Sequence, residues 1–126
     1  MATILLVDND PLQASLRLSI LVRRFADVQR VRDAAEAFCL IEQPHFAEKL
    51  GLVISGHHMP GIGGPAFVAE LHARMPEVKV LVLGGAGENA TDYAGSEVCF
   101  RRRPIPSEEL LDLASKMLAH QECSAV

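Results

Sequence analysis

Apolar residues along the chain fall into two alternating spacings. Thr3 to Val7, Leu52 to Ser55 and Val78 to Leu83 are short, continuous runs rich in β-branched and aliphatic residues, as expected of central parallel strands covered on both faces. Val28 to Val31 and Val98 to Phe100 read as two shorter strands. Between these runs the apolar positions recur at helical spacing. Leu12, Leu16 and Ile20, with the aliphatic stem of Arg23, predict a first helix to about Arg24 with that face inward. Ala37, Phe38 and Ile41 predict a second helix, opened by an Asp33/Glu36 capping box and stopped at Pro44, with His45 to Gly51 as a connector. Phe67, Val68, Leu71 and Met75 predict a third between Pro65 and Pro76. Leu110, Leu111, Leu113, Ala114, Met117 and Leu118 predict a last one, capped by Ser107. The polar stretch Glu88 to Gly95 holds at most two helical turns.

Strands that alternate with helices imply an α/β fold: one doubly wound, five-stranded parallel sheet with helices on both faces. In such a sheet the loops after the first, third, fourth and fifth strands converge on one crevice. Here those loops carry Asp8, Asn9 and Asp10; Ser55 to Gly64; Leu83 to Gly87; and Phe100 to Pro104. Asp10 can cap the first helix, with Pro11 at its first position.

Composition narrows the function classes. The 126 residues make one domain, and 49% hydrophobic with 22% charged residues suits a water-soluble core. A net charge of -4 argues against general affinity for nucleic acid or anionic membrane. Neither a signal peptide nor a membrane span is evident, and Cys39, Cys99 and Cys123, odd in number and without a CxxC pattern, point away from disulfides and zinc and toward a reducing cytoplasm.

Three motifs in order, Ile4 to Pro11 (ILLVDNDP), Met59 to Gly64 (MPGIGG) and Phe100 to Pro104 (FRRRP), resemble the receiver domain of bacterial two-component response regulators. The resemblance spans nearly the whole chain. It implies the CheY-like, flavodoxin-like fold with strand order 2-1-3-4-5, a receiver-like domain over residues 1–120, and a tail at 121–126 too short to be an output domain. A typical receiver phosphorylates itself on an aspartate, with Mg²⁺ held by that carboxylate and an acidic pair, and a hydroxyl and a lysine holding the product. Carried onto this chain, the acidic pair falls on Asp8 and Asn9, the phosphoacceptor on Gly56, the hydroxyl on Gly84, the lysine on Arg103 and the switch aromatic on Phe100. The segment between Gly84 and Arg103 is also shorter than the family's by about one helical turn.

With no acceptor side chain at Gly56, phosphorylation is not expected, and Mg²⁺ should bind weakly or not at all because Asp8 stands almost alone. A direct Asp8–Arg103 ion pair is expected to replace the metal. Asp8 and His58 remain the candidate metal ligands, with no metal site expected. Strand alternation turns Ser55 to the opposite face from position 56, and Arg101 to Arg103 split between two faces, which disfavours a nucleic-acid surface. The implied function is a stand-alone pseudo-receiver that is no enzyme. It would bind a protein partner, a histidine kinase or downstream effector, or form a homodimer through the last strand and last helix. The alternative is a small-ligand or metal-binding α/β module using His57, His58 and the Gly84–Gly87 loop.

Overall fold

The computed structural model describes residues 2–57, 59, 61–85, 90–93 and 98–119. In chain order the elements are β1 (Thr3–Val7), α1 (Pro11–Leu21), β2 (Val28–Val31), α2 (Ala34–Ile41), α3 (Pro44–Lys49), β3 (Leu50–Gly56), α4 (Gly64–Arg74), β4 (Lys79–Gly84), a 3-10 turn (Ala90–Tyr93), β5 (Cys99–Arg102) and α5 (Ser107–Leu118). All five strands pair in parallel, as the alternating pattern predicts, in the order β2-β1-β3-β4-β5 that the receiver resemblance implies.

Strand alternation divides the core in two. Leu5, Val7, Val53, Val80 and Val82 face α2, α3 and α4 on one side, whereas Ile4, Leu6, Leu52, Ile54, Leu81 and Leu83 face α1 and α5 on the other. Because both faces are covered, β1, β3 and β4 must be apolar at nearly every position, which is why they read as continuous runs. At the α1–α5 side, Arg24 reaches across to Asp112 at 2.8 Å on the protein surface.

Local chemistry explains the element boundaries. Asp10 caps α1, its Oδ1 accepting from the Leu12 and Gln13 N–H groups at 3.0 and 3.3 Å. Asp33 caps α2 through the Glu36 N–H at 2.9 Å, while Glu36 reaches back to the Arg32 N–H at 2.8 Å, a variant of the reciprocal box displaced by one residue. Hydrogen bonds from the Arg32 backbone and guanidinium hold the Glu36 carboxyl below its usual range.

Four expectations are corrected. Leu12 and Leu16 do not face the core: they are 78% and 57% exposed, and the inward face of α1 is Ala14, Leu18 and Leu21, with Ile20 beside it. Pro44 does not only stop α2; it sits in the first turn of α3, where its missing N–H costs nothing, and Phe46 anchors that short helix in the core. Ser107 begins α5 rather than capping it, because the cap position falls on Pro106, which has no side-chain acceptor. Cys99, expected to stay out of any disulfide, is disulfide-bonded, and Cys39 is an exposed free thiol; Cys123 lies outside the described residues.

The placement of α1 has a direct test. Leu21→Ala should destabilise the fold by about 2 to 4 kcal/mol in urea unfolding, whereas Leu12→Ser should change stability by less than about 0.5 kcal/mol. The reverse ranking would restore the Leu12/Leu16 face as the buried one.

Candidate functional site

The register brings the strand ends level. Val7 pairs with Ser55, Gly56 with Leu83, and Gly84 with Arg102. The crevice at their carboxyl ends therefore collects Asp8 from β1, Gly56 and His57 from β3, Gly84 from β4 and Arg103 from β5. The Arg103 N–H donates to the Gly84 carbonyl at 2.8 Å, which closes the β4–β5 side of the rim. Ser55 is buried on the opposite face from Gly56, its Oγ donating to the Gly56 carbonyl at 3.0 Å, so its hydroxyl does not enter the crevice.

Asp8 is paired, but with Arg17 rather than Arg103. The Arg17 Nη1 donates to Asp8 Oδ2 at 2.7 Å, with both side chains only 11% and 13% exposed. The second carboxylate oxygen, Oδ1, accepts from the Asp10 N–H at 3.0 Å. Arg30 on β2 adds two bonds to the Asp8 backbone carbonyl, at 3.1 Å from Nε and 2.6 Å from Nη2. Burial pushes the Arg17 guanidinium below its usual pKa; the Asp8 charge opposes that shift and the nearby Arg103 charge adds to it. The Arg17 partner went unseen in the sequence because it follows from the orientation of α1. Residues 14, 17, 18 and 21 share one helical face, and Arg17 sits on it at the level of the strand ends. The signal available was the Ala14, Leu18 and Leu21 stripe, which a Leu12, Leu16 and Ile20 stripe outweighs on hydrophobicity alone.

On the other side of the crevice His57 is held between two groups from the 3-10 turn. Its Nδ1 lies 3.0 Å from the Tyr93 hydroxyl and its Nε2 lies 3.7 Å from Asp92 Oδ2, with the His57 side chain 12% exposed. Tyr93 in turn packs on Phe100, with ring centroids 6.1 Å apart, and both rings are buried. The loop between β3 and α4 is closed by the Gly64 N–H, which donates to the His57 carbonyl at 2.7 Å. A side chain at Gly64 would strike the Tyr93 hydroxyl and lie 2.9 Å from the His57 carbonyl oxygen, so glycine is required by close approach. Gly61, with φ at 87°, supplies the turn. His58, Ala86 and Gly87, named in the ligand-binding alternative, lie outside the described residues.

A Mg²⁺ ion of the receiver type does not fit this donor set. It requires several carboxylate or carbonyl oxygens in a near-octahedral shell. Both Asp8 oxygens are engaged by a guanidinium and an amide, Asn9 contributes no carboxylate, and Gly56 has no side chain. Arg17 brings fixed positive charge to within hydrogen-bond distance of the one remaining acid.

Comparison with known proteins agrees with the geometry. The family model of the response regulator receiver domain matches residues 4–98. The C4-dicarboxylate transport transcriptional regulatory protein DctD of Pseudomonas aeruginosa is 29% identical over 121 residues, covering 91% of this chain and 25% of that protein. The chain thus spans about a quarter of the length of that curated relative. Among solved structures, the signal receiver domain of an HD domain-containing protein from Pseudomonas fluorescens Pf-5 superposes with a TM-score of 0.85 at 26% identity, covering 95% of this chain and 96% of that one. A CheY-like receiver domain protein from Methanospirillum hungatei JF-1 shares the fold at a TM-score of 0.82 and 21% identity, with 96% of each chain covered.

Two substitutions test the site's construction. Arg17→Gln removes the partner of a mostly buried carboxylate and should cost about 2 to 3 kcal/mol of stability, while Arg103→Gln should cost less than about 0.5 kcal/mol; equal effects would mean that Arg17 is not the principal partner. Gly64→Ala should destabilise by about 1 to 3 kcal/mol and alter the emission of Tyr93, the single tyrosine in a chain without tryptophan. Unchanged emission with unchanged stability would show that the Gly64–Tyr93 approach is not tight.

Proposed function

The chain belongs to the response regulator receiver family of two-component signalling, and on that premise we propose that it is a receiver that takes no phosphate, held in one state by its own side chains and acting through protein contacts. The observation that carries this reading is the Asp8–Arg17 pair, which occupies the one surviving acid of the pocket beside a glycine at the phosphoacceptor position. Acyl-phosphate formation needs a carboxylate nucleophile and a divalent cation to neutralise the phosphoryl oxygens. Gly56 supplies no nucleophile, and the cation that meets Asp8 belongs to the chain. Gly84 cannot offer the hydroxyl that would follow the phosphate. Phe100, buried with Tyr93 against it, lacks the phenol that could exchange an inward for an outward hydrogen bond.

Receivers work by contact with kinases and effectors, and the proposed partner here is a histidine kinase, a downstream effector or a second copy of this chain. For self-association the candidate surface is β5, at the edge of the sheet, with α5 beside it. Arg101, Glu109, Asp112 and Lys116 give that face mixed charge suited to reciprocal pairing. The metal- or ligand-binding alternative draws less support, because both His57 ring nitrogens face protein groups. Among the described residues no helix is long and apolar enough to cross a membrane.

Incubation with acetyl phosphate and Mg²⁺, read by intact mass, is expected to yield no phosphoryl adduct, and millimolar Mg²⁺ is expected to leave the melting temperature unchanged. Gly56→Asp is expected to remain unmodified under the same conditions, since Asp8 stays paired with Arg17 and Asn9 adds no acid. A stoichiometric adduct on the unaltered chain would overturn the proposal. Mg²⁺-dependent modification of Gly56→Asp would show that the Arg17 pair does not close the site.

A further inference from the structure

Beside the crevice, and sharing Arg17 and Arg103 with its rim, a cleft of about 460 Å³ opens between α1 and the connection from β5 to α5, a size in the range of small-molecule sites. We propose that this cleft binds a small organic anion, its carboxylate or phosphate monoester held by Arg103 and Arg17 and its hydrocarbon body lying along Leu16, Ile20 and Ile105. The inference stands apart from the signalling reading, because it needs neither phosphorylation nor a protein partner.

The polar part lies at the strand-end rim. Arg103 is exposed, and its guanidinium has no hydrogen bond or ion pair among the described residues. Arg17 uses Nη1 on Asp8, and its other N–H groups have no further partner among the described residues. Gln13 adds an amide from the same face of α1. One carboxylate, Asp10, also lines the cleft, but its Oδ1 already accepts the Leu12 and Gln13 N–H groups. Arg17 is matched by Asp8, and the Asp10 carboxylate by the first N–H groups of α1, which leaves the Arg103 guanidinium as the rim cation without a partner among the described residues, and a bound anion would supply one.

The apolar part runs away from that rim. From Gln13 the cleft follows α1 through Leu16 to Ile20, with Ile105 and Leu110 opposite. Leu16 is 57% exposed, an unusual position for a leucine beside two arginines, and a hydrocarbon chain laid against it would be removed from water. A cationic rim above an apolar wall selects an amphiphilic anion over inorganic phosphate, which the rim alone would hold, and over an uncharged alcohol, which the wall alone would hold.

Titration of the ¹⁵N-labelled chain with hexanoate and with hexyl phosphate should produce saturable amide shifts confined to Gln13, Leu16, Arg103, Ile105 and their neighbours, with hexanol as the uncharged control. Hexanol should bind at least about tenfold more weakly, and Arg103→Gln should weaken hexanoate by about tenfold, the effect of one charged hydrogen bond. Leu16→Asp, which places a carboxylate on the wall, should abolish binding while leaving a dispersed spectrum. The proposal is overturned if neither anion gives saturable shifts, if hexanol binds as well as hexanoate, or if Arg103→Gln and Leu16→Asp leave the shifts unaltered.

Discussion

The ion pair between Asp8 and Arg17 is the constraint on which the site depends. A carboxylate largely removed from water at the end of a buried strand costs several kcal/mol to leave unpaired. The family's usual solution is a metal; this chain supplies a guanidinium from the adjacent helix instead. That choice fixes the rotation of α1, because Arg17 must face inward, and so turns Leu12 and Leu16 to solvent. It also draws in the edge strand, since Arg30 on β2 grips the carbonyl of the same aspartate. One aspartate, through its carboxylate and its backbone carbonyl, thus ties together β1, β2 and α1.

The opposite rim is organised by contact rather than charge. Gly64 lets the start of α4 approach the β3 loop, Tyr93 fills the space so created, and Phe100 supports Tyr93 from below. In this arrangement β3, the 3-10 turn, β5 and α4 meet through one tyrosine. The 3-10 turn after β4 places Asp92 and Tyr93 beside His57.

Much of this was legible in the residues themselves. Continuous apolar strands require cover on both faces, which is why a parallel sheet with helices on both sides could be read from the pattern, while the strand order rested on the receiver resemblance. Asp10 and the Asp33/Glu36 pair announced helix starts because capping is local chemistry. The rotation of α1 was not legible: its stripe of leucines is more hydrophobic than the Ala14, Leu18 and Leu21 face, and only the demand of Asp8 for a cation decides between them. The α3 helix was hidden for a related reason, as a proline can end one helix and begin the next, and six residues leave too little periodicity to tell. Gly56, Asn9 and Gly84 stand out only against the receiver resemblance, whereas Arg17, the observed partner of Asp8, carries no motif.

A guanidinium built into the chain is present at unit stoichiometry from the moment of folding. It does not vary with the supply of a divalent ion, a phosphodonor or a nucleotide, and no phosphatase can remove it. If the domain takes no phosphate, as proposed, it would convey information through how many copies are made and how long they persist. On the proposed reading, Arg17 would move the point of control from chemistry at the crevice to synthesis and turnover of the protein.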